Sequence, residues 1–210
     1  MSGVFPASPA PARVSIGSVQ PARVSLGHSL KRNSRTLNAQ RFSLKLIFAP
    51  MTQSQFAPIW AHCIAQRGQY DTFTYALPSR VWPLRGAGGG SPAVNNQAGS
   101  PEELQTASRN VASSGWGNGV TVLKAGDLVT FGGHSKVYLI RSDVTSNGSG
   151  LATLPIEPAL ITGPAHGAAI TISPVTFTCA LEGDVQEFEA APRAGNLAKY
   201  RYEVDLVEAY

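Results

Sequence analysis

Side chains able to bind a metal or to act as a catalytic base are few in this sequence and scattered along it. None of the four histidines has a second histidine or a cysteine at the spacing of a zinc site. His134 precedes Ser135, but adjacent residues in a strand or a tight turn point apart, so a hairpin turn is favoured over a Ser–His pair. We expect no metal site at any of the four, which are His28, His62, His134 and His166.

The carboxylates and the glycines predict no reaction either. Two carboxylates at the separation of a glycosidase stay an alternative among the four acids of residues 182–189, but solvated acids at a strand edge are commoner. Gly115, Gly117 and Gly119 lack the following helix and the Lys-Ser/Thr that a phosphate loop requires. We therefore expect no cofactor and no enzymatic activity, with a hydrolase that acts through an acid pair or a metal as the enzymatic alternative.

The two cysteines lie far apart in the sequence. Cys63 and Cys179 are separated by 116 positions, and a disulfide between them is one alternative, but two buried free thiols are favoured. The sequence contains no run of about 18 apolar residues, so no membrane span is expected. Its beginning has no apolar segment of the kind found in secretory leaders. These features fit synthesis in a reducing compartment.

Charge is distributed unevenly along the chain. The first 70 residues hold eight bases and no acid, whereas residues 182–210 hold seven acids and three bases. A basic surface could contact nucleic acid or the acidic surface of a neighbouring copy; the alternative is solvated surface whose two ends neutralise each other. The bases are not interleaved with aromatic residues, which disfavours a nucleic-acid platform.

The elements that position these residues are predicted to be mostly strands. Only 14% of the residues are charged, and the chain has 21 glycines and 15 prolines, which is typical of a turn-rich β protein. Apolar residues alternate at 41–48, at 73–77, at 175–181 and at 200–206. A chain end is ordered when it is tied into a sheet, so the last of these strands should pair with the first.

One helix is predicted after the first of these strands. Thr52 and Gln55 form a capping-box pattern. Pro58 would lose a backbone hydrogen bond in that helix, so a start two or three residues later is the alternative. Gly68 is a natural stop. One apolar stripe of the helix comprises Phe56, Ile59, Trp60, Cys63 and Ile64.

Composition divides the chain into four regions. Short strands separated by turns favour a small barrel at 120–172. A short helix capped by Ser100 is expected near residues 102–110. The regions are an extended N-terminal arm (1–36), a sheet domain (37–79 plus 173–210), a Gly/Pro-rich linker (80–119) and the inserted small β-barrel (120–172).

Several segments resemble proteins of tailed bacteriophages. The run RFSLKLIFAPMT at 41–52, followed by FAPIWAHCIAQRGQYDTFT at 56–74, resembles distal tail and tail-hub proteins. The upstream segments HSLKR and RTLNAQR are similar too. LKAGD, VYLI and DVTSNGSGLATLPIEPAL, within 123–160, resemble a small β module recurrent in phage tail and capsid proteins. The resemblance covers roughly residues 25–210.

The resemblance implies a tail-tube-like β-sandwich with one flanking helix, carrying the small barrel as an insertion. It implies a virion protein, assembled in the host cytoplasm, whose six copies close a ring at the distal end of the tail. The ring would contact the tail tube, the hub and other baseplate or fibre proteins, while DNA passes through its channel without specific binding. It would have no membrane anchor.

In such a head-to-tail ring, each copy presents one surface to a different surface of the next, so opposite charges on one chain can be complementary. We expect the contact across the ring, or within the sheet, to join four bases to four acids. These residues are Lys31, Arg32, Arg35 and Arg41, and Glu182, Asp184, Glu187 and Glu189. The alternatives are another tail ring, namely a tube, terminator or baseplate-adaptor protein, or a barrel that binds single-stranded nucleic acid.

Overall fold

A computed structural model of the protein describes residues 3–26, 28, 30–37, 39–95, 108–192 and 198–210. The chain is mainly β, with 42% of its residues in strands, and its described residues contain a single helix. The predicted fold class, mainly β with one flanking helix and a small barrel module, is confirmed. In chain order the elements are β1 (Arg13–Val19), β2 (Ala22–Leu26), β3 (Arg32–Thr36), β4 (Arg41–Ile47), α1 (Gln53–Ala65), β5 (Phe73–Ala76), β6 (Ala93–Val94), β7 (Asn110–Ser114), β8 (Thr121–Leu123), β9 (Leu128–Phe131), β10 (Val137–Ile140), β11 (Val144–Thr145), β12 (Ala152–Glu157), β13 (Ile170–Thr171), β14 (Thr176–Leu181), β15 (Phe188–Ala191) and β16 (Lys199–Glu208).

The chain divides into two compact units. The first unit combines three separate stretches, Met1–Val19, Arg41–Ala76 and Phe177–Tyr210. The second unit consists of Gln20–Gln40 and Leu77–Thr176. The sheet of the first unit is therefore built from segments on both sides of a long middle region.

The sheet of the first unit has the strand order β1-β4-β16-β14-β5, with β15 also paired to β16. Strands β4 and β16 are antiparallel, with Val204 opposite Leu46 and Leu206 opposite Leu44. This pairing of the last strand with residues 41–48 is the predicted one and is confirmed. All four of these side chains are buried, because the alternation of each strand places them on one face of the sheet.

Helix α1 covers the buried part of this sheet. Its N-cap is Thr52, which forms a capping box with Gln55, whose Oε1 accepts the Thr52 backbone N–H at 3.0 Å. The predicted capping box is confirmed. The alternative, a helix that begins two or three residues later, is wrong, because the helix begins at Gln53, directly after the cap, and Pro58 lies inside it. Of the predicted stripe, Phe56, Ile59 and Cys63 are buried, Trp60 is half-buried and Ile64 is exposed.

The second unit contains a nearly closed barrel. Its six strands follow the order β13-β9-β10-β12-β7-β6. The two ends of this order approach each other, since Val94 N–H donates to the Ala168 carbonyl and Ile170 N–H to the Pro92 carbonyl, both at 2.9 Å. The interior is filled mainly by aliphatic and aromatic side chains, among them Val111, Phe131, Tyr138, Ile140, Leu154 and Ile156.

Part of the region predicted as a linker belongs to this barrel. β6 and β7 are barrel strands, and Trp116 is buried, with its Nε1 donating to Ser113 Oγ at 2.8 Å. The linker prediction for 80–119 is wrong at these residues, because a two-residue strand between glycines shows no periodicity. Most of the helix predicted near 102–110 lies outside the described residues, and Asn110 begins β7. Within the region predicted as a barrel, residues 143–150 include the short strand β11.

The first 36 residues do not form a single extended arm, because part of this region belongs to the sheet of the first unit. Strand β1 pairs with β4 along its whole length. Phe5 is buried, with its ring centroid 5.8 Å from those of Phe73 and Tyr75. The prediction of one arm is wrong for residues 3–19, since Pro and Gly between short strands conceal which of them pair with the sheet. Of the three strands in this region, β2 and β3, which we call the ribbon, leave all their residues exposed.

Candidate interaction surfaces

The ribbon is a two-stranded antiparallel hairpin. Its register places Ala22 opposite Thr36 and Leu26 opposite Arg32. Every residue of both strands is exposed, including Val24 at 53% and Leu26 at 69%. An isolated two-stranded hairpin is marginally stable in water. The ribbon is therefore a surface whose stability would increase if another surface covered it.

Two arginines lie side by side on one face of the ribbon. Arg23 is directly opposite Arg35, and Ser25 is directly opposite Asn33, so these four side chains share a face, which we call the basic face. Like charges directly opposite each other destabilise a strand pair. The basic face thus carries two positive charges that repel each other in the free ribbon.

The first unit carries an acidic groove of about 460 Å³. Four of its lining residues are acids, and all four are exposed. One wall is the loop between β14 and β15, and the other is β16. The lining residues, which define the acidic groove, are Glu182, Gly183, Val185, Gln186, Glu187, Glu203 and Asp205.

Hydrogen bonds hold the loop wall of the acidic groove in place. The backbone N–H of Gln69 donates to Asp184 Oδ1 at 3.2 Å, and Gln69 Nε2 donates to the Glu182 carbonyl at 2.5 Å. The buried Tyr202 hydroxyl donates to Gln186 Oε1 at 2.8 Å. The acidic groove is therefore positioned by the segment that follows α1 and by the core strand β16.

Lys45 neutralises part of the acidic groove. Its Nζ lies 2.7 Å from Glu203 Oε2 and 3.9 Å from Asp205 Oδ1. The hydrogen bond that Lys45 donates to Glu203, with the charges of Asp205 and Glu203, raises the pKa of Lys45. Register explains the contact, because Lys45 on β4 is directly opposite Asp205 on β16. Lys45 is a single cation among four carboxylates, so the acidic groove keeps a net negative charge.

Of the eight predicted contact residues, only Arg35 lies on the basic face, and only Glu182 and Glu187 line the acidic groove. Lys31, Arg32 and Arg35 lie in or beside the ribbon, whereas Arg41 begins β4 opposite Val19. In the part of the chain that the structure describes, none of the eight forms an ion pair, so contact across a ring stays a prediction. The acids among the eight are Glu182, Asp184 and Glu187, on the loop between β14 and β15, and Glu189, on β15.

Sequence reasoning missed three charged residues of these surfaces. Arg23 was not among the predicted contacts, although the alternation of its segment as a strand could have placed it beside the later arginines. Glu203 and Asp205 were missed because their approach to the loop acids depends on the path of β16.

The histidines take structural positions. The ring centroid of His62 lies 5.5 Å from that of Phe5 and 5.0 Å from that of Phe73. Burial lowers the pKa of His62, which favours its neutral form. His134 lies in the turn between β9 and β10, as predicted. No group of three or more metal-binding side chains occurs among the described residues.

The two cysteines are free and buried, which confirms the favoured prediction. Burial raises the pKa of Cys63, and burial together with the charge of Glu208 raises the pKa of Cys179. The thiolate is the reactive form of cysteine. Neither thiol should therefore react with iodoacetamide at mildly alkaline pH in the folded protein, and both should react after unfolding in urea. Mass spectrometry of the alkylated protein checks this, and rapid labelling of the folded chain would contradict it.

Comparisons with known proteins assign the chain to no family. No protein-family model matches the chain, and no curated protein matches it. No helix in the described part is both long and apolar enough to cross a membrane. The function must therefore be inferred from the chemistry of the ribbon and the acidic groove and from the phage-like sequence segments.

Proposed function

We propose that this chain is a structural subunit of a bacteriophage tail, which closes with further copies of itself into a ring at the distal end of the tail. The ring would link the tail tube to the hub, the baseplate and the receptor-binding apparatus. In this proposal the protein has no catalytic centre and needs no cofactor, and DNA passes through the ring without specific binding. The observation that carries the proposal is the ribbon, whose strand residues are all exposed.

The ribbon supports self-association for an energetic reason. Ordering the backbone of a residue costs about 1–2 kcal/mol, and the ribbon recovers little of this because it buries no side chain. A neighbouring molecule that covers the ribbon would supply the missing burial. In this proposal a different surface of the neighbouring copy covers the ribbon, so the contact is head-to-tail, and head-to-tail contacts form a ring when the rotation between copies closes.

Two further features agree with a tail location. The mainly β fold with one helix and an inserted barrel is the fold that the phage resemblance implies. The resemblance also implies which proteins the ring would contact, namely the tail tube, the hub and the fibre proteins. Within this class, a tube, terminator or baseplate-adaptor ring is the nearest alternative.

Labelling of virus particles tests the location. Antibodies against the purified chain, coupled to gold, should bind at the distal tip of the tail in micrographs of particles of the phage that encodes it. Label along the whole tail would indicate a tube protein, and label at the neck would indicate a terminator. Particles without label, together with chain found only outside particles, would overturn the proposal.

The nearly closed barrel favours a second candidate function, the binding of single-stranded nucleic acid. Small barrels of this kind bind such strands through a basic groove with stacking aromatic residues. A gel-shift assay with single-stranded DNA separates the candidates, since binding by a barrel should weaken steeply as salt increases. The proposed tail function predicts no specific shift.

A further inference from the structure

We infer that the basic face of the ribbon docks into the acidic groove of a second copy of this chain. The inference rests on the proposed function, because it names the two surfaces that would meet at each contact of the ring. The surface that covers the ribbon would be the acidic groove of the neighbouring copy, formed by its β14–β15 loop and β16.

The arrangement of charge on the ribbon favours an acidic partner surface. Arg23 and Arg35 are directly opposite each other, and both strands are exposed throughout. A free hairpin gains nothing from two opposed cations. Carboxylates placed against this face would turn the repulsion into two attractive contacts, and a guanidinium can bind a carboxylate with two parallel hydrogen bonds.

The composition of the acidic groove is complementary to that of the basic face. Four exposed carboxylates line it, and among the described residues the neighbouring cation Lys45 forms ion pairs only with Glu203 and Asp205. Glu182 and Glu187 form no ion pair in the described part of the chain. Ligand pockets for small molecules are predominantly apolar. A groove whose lining is mainly acidic instead fits a cationic protein surface.

Hydrogen bonds within a single copy hold the acidic groove in shape without a partner. Gln69 bonds the loop at Asp184 and at Glu182, and Tyr202 bonds Gln186. A preformed surface loses less conformational entropy on binding than a loop that must become ordered. On the ribbon, the strand register places the two arginines side by side, as a pair that one groove can bind.

A substitution of one arginine separates docking from the stability of the ribbon itself. R35E places a carboxylate opposite Arg23, which stabilises the hairpin, but it removes the net positive charge of the basic face. At low ionic strength we expect R35E to raise the concentration needed for assembly about 10- to 100-fold. The control R80E makes the same charge change at an exposed residue outside both surfaces and should assemble like the wild type.

Assembly of R35E at the wild-type concentration, or more readily, would overturn the inference. Circular dichroism shows whether each variant is folded, and sedimentation velocity gives its assembly state. The difference between R35E and R80E should shrink as salt is added, since exposed charges are screened.

Two charge-reversed variants, mixed together, provide the sharpest test. R23E/R35E makes the basic face acidic, and E182K/E187K places two cations in the acidic groove, where the remaining Glu203 and Asp205 are paired with Lys45. Each variant alone should fail to assemble at low ionic strength. In an equimolar mixture the reversed ribbon fits the reversed groove and the unchanged ribbon fits the unchanged groove, so rings with the two variants in equal numbers should form.

A mixture that stays unassembled would overturn the docking of ribbon into groove, because both variants are then present with complementary surfaces. Failure of the proposed function looks different. If the wild-type chain stays a single subunit at every concentration, the ring itself is wrong. If the wild type forms rings and charge reversal changes nothing, only the inferred contact is wrong.

Discussion

Replacement of Asp127 by Ala should lower the free energy of unfolding by about 3–5 kcal/mol. The carboxylate is buried, with 1% of the residue exposed. Its Oδ1 accepts the backbone N–H of Arg85 at 2.9 Å, and its Oδ2 accepts those of Gly86 at 3.1 Å and Lys124 at 2.8 Å. Removal of the side chain leaves three backbone donors without this acceptor, and each unsatisfied buried donor costs about 1–3 kcal/mol.

Asp143 provides a matched control for this prediction. Its Oδ1 accepts a single backbone N–H, that of Ala125 at 2.9 Å, and the residue is exposed. D143A should therefore cost only about 1 kcal/mol. Urea unfolding followed by circular dichroism measures both variants. A D127A variant within about 1 kcal/mol of the wild type would show that the three hydrogen bonds do not hold residues 85–86 to the turn before β9.

A side chain at Gly90 should be strongly destabilising. We expect Gly90→Ala to lower the free energy of unfolding by about 4 kcal/mol or more. Its φ of +72° is left-handed, and an added Cβ would overlap the Gly115 carbonyl oxygen. That carbonyl accepts the Ser91 N–H at 3.0 Å, so the two backbone segments cannot separate without loss of the bond. The neighbouring loops that lead into β6 and out of β7 would have to move apart.

Gly89 is the control for Gly90. Its φ of +90° is left-handed as well, but nothing lies within 4 Å of an added Cβ. Gly89→Ala should therefore cost only the backbone strain, about 1–2 kcal/mol. Thermal unfolding of the two single variants compares the costs. Equal destabilisation at both positions would mean that backbone conformation alone, and not the close approach to Gly115, makes Gly90 necessary.

Alternation of apolar residues was enough to predict the strands that are long and half-buried. Strands β4 and β16 and their pairing could be predicted because each alternates along its length and buries one face. The two-residue strand β6 could not, since so short a segment has no period and its pairing depends on distant residues of the barrel. Trp116 lies between Gly115 and Gly117, outside any strand, so its segment shows no period either and is predicted as a linker although the side chain is buried.

The candidate surfaces were predictable in charge but not in geometry. The sequence shows that the bases come early and the acids late, and this indicates a basic and an acidic surface. Which side chains share a face depends on register: Arg35 is opposite Arg23 on the ribbon, and Lys45 is opposite Asp205 in the sheet. Register is a property of paired strands, so one strand's sequence cannot reveal it.

The mass of the purified chain in solution tests the central claim most directly, which is that this protein works by self-association into a ring. Native mass spectrometry over a range of concentrations should find a species of six times the 22.1 kDa chain mass. End-on class averages of the same sample should show a six-fold annulus with an open centre. A chain that remains a 22.1 kDa monomer at every concentration, with no annulus in the images, would contradict the account.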